Sequence, residues 1–169
     1  LQDKGKFRVC TFNDATQEEC VELFDKCVWA GGINGIQNIP TQTVKLLEDG
    51  GFSGRWFHSS ETSTFKEDVE GKNILMVGGS LSVEDLLLMA IKEGAQKIYV
   101  TARNEECTIM NTPRWPYDKV EVCEGTAIRE VKGKNITLHK VVYSLRERKY
   151  VVDDEEDPIE LSDIDTVIF

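Results

Sequence analysis

The sequence predicts an α/β domain built on a parallel strand–helix–strand core with extra antiparallel strands. Three observations carry this reading. Residues 73–77 (NILMV) are a continuous apolar run, as expected of a strand covered on both faces. From Ser82 to Glu93, the residues Val83, Leu86, Leu87, Ala90 and Ile91 recur at helical spacing and make one apolar face. Residues 97–102 (KIYVTA) then read as the next strand. Residues 73–102 thus form one unit of about 30 residues, the size of a right-handed βαβ crossover. With Gly78 and Gly79 between its first strand and its helix, the core is Rossmann-like.

Earlier in the chain, residues 6–12 (KFRVCTF) alternate and favour strand, followed by the polar turn FNDATQEE. Residues 20–30 (CVELFDKCVWA) read as a hairpin leading to a tight turn at Gly31-Gly32. INGIQNIP is loop. TQTVKLLEDGG predicts one short helix, with Thr41 as its cap and Gly50 as its stop. GRWFHS is a short strand, and SETSTFKEDVEGK a polar connection. Ser82 can cap the main helix, with Asp85 in the capping-box position, and Gly94 ends it.

Beyond Arg103, the stretch NEECTIMNTPRWPYD is irregular, with two prolines. Short β-prone pieces follow: KVEVCE, AIREVK, NITLHKVVYSL, KYVV and DTVIF. VKGKNI and VVDDEEDPIEL read as hairpin turns, and the acidic run DDEED as a solvated loop.

The 169 residues fit one domain, 1–169, with a core of its own. Within it, residues 1–40 are expected to be linking strands and 54–169 the nucleotide-binding core. A net charge of -10 argues against nucleic acid as a partner, because a phosphate backbone wants a basic face. No run of about 18 apolar residues suggests a membrane span, and the polar start LQDKGKFRVC does not read as a signal peptide. The five cysteines (Cys10, Cys20, Cys27, Cys107 and Cys123) are odd in number and form no C-x-x-C pair. This points to reduced thiols and a cytoplasmic location, with no metal site expected. At Cys107, Glu105 and Glu106 would raise the thiol pKa. The chain opens on Leu1 and closes on the apolar run IDTVIF, which predicts an excised domain with its flanking sequence missing.

A phosphate bound at a helix N-terminus needs free N–H groups, the positive dipole end and room for close approach. Gly78 permits the sharp turn, Gly79 keeps the loop slim, and Ser80, Leu81 and Ser82 supply N–H donors. Val83 stands where the usual fingerprint has a third small residue and would push the helix out slightly. A simple βα turn with glycines for packing stays open as the alternative. At the end of the second strand, NAD sites carry an acid and NADP sites an arginine. Here the residues are Thr101-Ala102-Arg103, with no acid until Glu105. An arginine can grip phosphate bidentately, so NADP is favoured over NAD.

These stretches resemble the NADPH-binding segment of flavin-containing monooxygenases. The likeness is most specific over residues 57–103, in Phe57-His58-Ser59, Gly71-Lys72 and Val77 to Asp85. FDKCVWAGGINGIQNIP is similar to the family's interdomain turn, with glycine replacing threonine in Ala30-Gly31-Gly32. The resemblance implies NADPH as cofactor here and FAD in a missing domain of the same parent chain. The parent would oxygenate a nitrogen or sulfur nucleophile, with the flavin supplying the hard chemistry. It further implies that Ser80, Leu81 and Ser82 meet the pyrophosphate, Arg103 the 2′-phosphate, and Thr101 the adenosine end. Gly31, Gly32 and Asn34 would lie near the nicotinamide and the interdomain cleft. No catalytic residue is identified in this chain. His58 and His139, like Trp29, Trp56 and Trp115, read most simply as structural. The alternatives are the NADPH domain of another two-dinucleotide flavoprotein, such as a disulfide reductase-like enzyme, and a Rossmann-like interaction domain without nucleotide.

Overall fold

A computed structural model describes residues 2–3, 5–28, 30, 36–104, 116, 118–153 and 155–169. By contacts the chain divides into two compact units, Leu1–Ile36 and Gln37–Phe169. The first holds a three-stranded antiparallel sheet: β1 (Gln2–Asp3), β2 (Lys6–Asn13) and β3 (Glu18–Phe24), in the order β1-β2-β3. The predicted strand at 6–12 is present, but the hairpin lies earlier than expected. Strands β2 and β3 themselves form it, while residues 25–28 carry no strand. Asn13 decides the turn. Its side-chain oxygen accepts the N–H groups of Ala15 and Thr16, as turn asparagines do. The predicted turn at Gly31-Gly32 lies outside the described residues.

The second unit is α/β. Its parallel sheet runs in the order β4-β12-β5-β6-β7: β4 (Arg55–Phe57), β12 (Thr166–Ile168), β5 (Asn73–Val77), β6 (Lys97–Ala102) and β7 (Val120–Glu124). Every pairing within it is parallel. The piece KVEVCE therefore extends the parallel sheet at its edge. Parallel neighbours need long crossovers, and helix α3 (Leu81–Lys92) supplies the one between β5 and β6.

Alternation sorts the central strands into two layers. Ile74 and Met76 of β5, Ile98 and Val100 of β6, and Ile168 of β12 enter one core with Val83, Leu86, Leu87 and Ala90 of α3. Leu75 of β5 and Val167 of β12 enter the opposite core, with Val77 and Tyr99 packed against it. That core is closed by helix α1 (Thr41–Asp49) and by antiparallel strands β8 (Thr126–Lys132), β9 (Asn135–Ser144) and β11 (Ile159–Leu161). Strand β10 (Lys149–Val152) pairs with the far end of β9.

Several sequence-based expectations need correction. The polar connection 60–72 contains a short helix, α2 (Phe65–Val69), which buries Phe65 and Val69 in the first core. It has only five residues, too few to show a helical period. VVDDEEDPIEL is no hairpin turn. Strands β10 and β11 both pair with β9 and not with each other. Thr41 is the first helical residue of α1; Pro40 takes the cap position, and its carbonyl accepts the N–H groups of Thr43 and Val44. Helix α3 starts at Leu81, so Ser80 holds the extended cap conformation and Ser82 is already helical. Gly94 does follow the helix, at φ 88°, a left-handed conformation that favours glycine.

Leu87 is fully buried under α3 while its neighbour Leu88 is 44% exposed. Leu87→Ala should destabilise the second unit by about 2–5 kcal/mol and Leu88→Ala by much less. Urea unfolding followed by circular dichroism measures the difference.

Candidate functional site

In an open parallel sheet, ligands bind beyond the C-terminal strand ends, where neighbouring strands lead the chain in opposite directions. Here that place lies between β5, which runs on to β6 through α3, and β12 on its other side. A cleft of about 610 Å³ opens there, within the usual range for a small-molecule site. Val77 and Gly78 reach it from β5, Thr101 to Arg103 from β6, and Phe169 from the end of β12. Thr41 to Thr43 of α1, residues 126–129 of β8, and Lys149 and Tyr150 of β10 complete the wall.

Gly78 is the pivot of the turn. Its φ of +138° is a conformation that side chains rarely adopt, and a Cβ there would meet Val83 Cγ2 at 3.3 Å. Val83 is buried in the core beneath α3. The chain thus takes its close loop–helix contact from the missing Cβ of Gly78, with valine filling the space the usual third small residue leaves. The Gly78 N–H donates to Thr101 O at 2.8 Å, which ties the loop to the end of β6. No side-chain hydrogen bond caps α3 at Ser80. The first-turn N–H groups of this 12-residue helix are therefore presented without a side-chain acceptor, the arrangement an anion uses.

The structure brings Gly78, Thr101 and Arg103 into one cleft. Gly79, Ser80, Leu81 and Ser82 follow directly in the chain but do not line the cavity; Ser80, Leu81 and Ser82 are exposed beside it. Gly31, Gly32 and Asn34 lie outside the described residues, as do Cys107, Trp29 and Trp115. Thr101 is buried and its hydroxyl is already used. It lies 2.8 Å from Thr126 Oγ1, and the Thr126 hydroxyl donates to Cys123 O at 2.6 Å. Thr101 therefore contributes wall and holds β6 to β8. Arg103 is exposed, with its guanidinium carbon 5.0 Å from the centre of the Tyr150 ring, a cation–π distance. Sequence reasoning missed Arg129, Lys149 and Tyr150, which stand on strands far from the glycine loop.

The structural readings of His58 and Trp56 agree with their surroundings. His58 Nδ1 accepts the Ser60 N–H within the turn after β4. Trp56 meets Phe169 edge-on at 6.1 Å. Asp68 is buried and held by Thr64 and Arg55 at the opposite end of the sheet, away from the cleft. Among the described residues no cluster could hold a metal ion, and no helix is long and apolar enough to cross a membrane. Cys10, Cys20 and Cys27 are exposed, whereas Cys123 is buried. Cys10 faces Val21 and Cys20 faces Thr11, which puts the two thiols on opposite faces of the hairpin. Burial, with the charge of Glu121 adding to it, pushes the Cys123 thiol up to about 11.

The fold resembles that of the nucleotide-binding domains of flavoproteins, as comparison with known proteins shows. The chain is 28% identical over 118 residues to dimethylaniline monooxygenase [N-oxide-forming] 2 of Oryctolagus cuniculus. That match covers 69% of this chain and 21% of the relative, so the chain spans about a fifth of that enzyme's length. Among solved structures, Tmm from Pelagibacter shares the fold at a TM-score of 0.55 and 18% identity, over 99% of this chain and 31% of that one. The bacillithiol disulfide reductase of Bacillus cereus does so at 0.52 and 14% identity, over 99% and 47%. DfoA, the FAD-bound cadaverine monooxygenase of Erwinia amylovora, does so at 0.52 and 13% identity, over 99% and 49%. No family model matches the chain. The resemblance to flavin-containing monooxygenases read from residues 57–103 is thus supported by a curated relative of that kind and by the fold.

Two outcomes follow from the geometry. Alkylation of the native chain at pH 8 should label Cys10, Cys20 and Cys27 and spare Cys123 until the chain unfolds, as read by peptide mass spectrometry. Gly78→Ala should lower the thermal midpoint, because it combines an unfavourable φ with the Val83 contact. Gly78→Ala with Val83→Ala should recover only part of the loss.

Proposed function

We propose that this chain is the NADPH-binding part of a flavin-dependent monooxygenase, whose parent enzyme oxygenates a nitrogen or sulfur nucleophile. The observation that carries this is Gly78, which lines one cleft with Arg103 and leads directly into the exposed, uncapped N-terminus of α3. The pyrophosphate takes the N–H groups of Ser80, Leu81 and Ser82. Arg103, at the end of β6, takes the 2′-phosphate, where an NAD site would carry an acid. Gly78 fits this role because its left-handed backbone makes the sharp turn that leads into the α3 N-terminus. When bound here, NADPH would supply reducing equivalents for FAD held elsewhere in the parent chain. The residues here bind and orient it and set the preference for the phosphorylated form. The likeness to the dimethylaniline monooxygenase supports the monooxygenase class. The fold shared with a bacillithiol disulfide reductase supports a second reading, an NADPH domain of another two-dinucleotide flavoprotein reductase.

Titration of the purified chain should show tighter binding of NADPH than of NADH. Arg103→Ala should weaken NADPH by roughly tenfold to a hundredfold and leave NADH nearly unchanged, as loss of a charge-assisted contact implies. Equal affinity of the wild-type chain for both would sink the NADPH assignment. Binding of neither at millimolar concentration would favour an interaction domain without nucleotide. For the parent enzyme, substrate-dependent oxygen uptake separates a monooxygenase from a disulfide reductase.

A further inference from the structure

We infer that the cleft holds a two-arginine anion subsite, in which Arg129 of β8 joins Arg103 on one phosphate monoester and Tyr150 positions Arg103 for it. This rests on the NADPH reading and names residues that the glycine-loop motif does not contain.

Arg129 owes its place to a β-bulge. In the β8–β9 ladder, Ile128 faces Leu138 and Glu130 faces Thr137, so Arg129 has no opposite residue. Bulges insert one unpaired residue, re-aim side chains, and recur beside functional sites. The bulge also explains the burial pattern. Ile128 and Val131, three positions apart, both enter the same core, which strict alternation forbids. Arg129 is left exposed on the cleft wall.

The charges around it are arranged to leave the guanidiniums available. Glu130 is engaged by Lys132 at 2.7 Å, and Glu147 by Lys149 at 2.8 Å. Neither Arg103 nor Arg129 has a carboxylate partner among the described residues. Two guanidiniums in one cleft repel each other, and they stand in a chain of net charge -10. A dianionic phosphate monoester relieves that repulsion and offers each arginine a bidentate contact. A diester carries one charge and one fewer terminal oxygen, and matches the pair less well.

Tyr150 is held before any ligand arrives. Its hydroxyl donates to Asn104 Oδ1 at 2.8 Å, and its ring packs edge-on against Tyr143 at 5.3 Å. Arg103 lies over that fixed ring. Ordering a long side chain in advance lowers the cost of binding. Tyr150 is thus a positioning residue that acts through Arg103.

Calorimetric titration of the 169-residue chain with NADPH, NADH, 2′-AMP and 5′-AMP tests this, with circular dichroism verifying the fold of each variant. Arg129→Gln should weaken NADPH and 2′-AMP by about tenfold and change NADH and 5′-AMP less than threefold. Tyr150→Leu should reproduce the selective loss, while Tyr150→Phe, which keeps the ring, should retain most of the affinity. A merely structural role would move all four ligands together. If Arg103→Ala abolishes the NADPH preference but Arg129→Gln leaves it intact, the two-arginine subsite is wrong while the NADPH reading stands. If Arg129→Gln weakens 2′-AMP and 5′-AMP equally, the monoester is read without regard to its position and the inference fails in its specificity. If the wild-type chain binds neither dinucleotide yet binds 2′-AMP in an Arg129-dependent way, the subsite stands and the dinucleotide reading falls. If 2′-AMP does not bind the wild-type chain at all, the subsite itself is overturned.

Discussion

Strand β5 is covered on both faces, and the second unit is organised around that constraint. Ile74 and Met76 must be covered by one layer and Leu75 and Val77 by another. A strand without a polar face has to sit inside a sheet, with partners on both edges, so that its backbone groups are paired as well. It therefore lies between β12 and β6. The amphipathic α3 covers one face, and α1 with the antiparallel strands the other. Because the chain leaves β5 toward β6 while β12 flanks the opposite edge, the C-terminal ends of these strands open into a crevice. The cleft is a consequence of how the core is covered.

The same constraint ties the loop chemistry to the packing. The turn out of β5 must be tight enough for α3 to fold back over Ile74 and Met76. Gly78 meets this with a backbone conformation closed to other residues, and its missing Cβ also admits Val83. The hydrogen bond from Gly78 to Thr101 then locks the loop to the strand that carries Arg103. The turn serves the packing and, in the proposed function, the phosphate as well, so a substitution at Gly78 is expected to affect both.

Much of this was legible locally. The run NILMV, the apolar face from Val83 to Ile91 and the strand KIYVTA are period signals within single elements, and each stands where it was expected. Arg103 was legible because its spacing from the glycine loop is set by one helix and one strand. Helix α2 was hidden because five residues do not make a period, and the caps moved because β5 hands over to α3 two residues earlier than Ser82 suggests. Arg129 left a faint trace: the adjacent polar pair Arg129-Glu130 breaks the alternation between Ile128 and Val131, which is the mark of a bulge. Tyr150 left none, since nothing near it in sequence says that its ring lies under Arg103.

By itself, the sequence determined the class of the domain, its central βαβ unit and the glycine turn between β5 and α3, because these depend on side-chain periodicity and glycine placement within about 30 residues. The tertiary structure alone decided that β12, some ninety positions after β5, lies against it, and that β8 and β10 bring Arg129 and Tyr150 to the end of β6. Those are pairings between distant segments. They are selected by which faces remain uncovered once the local elements have formed, and no local pattern records that choice.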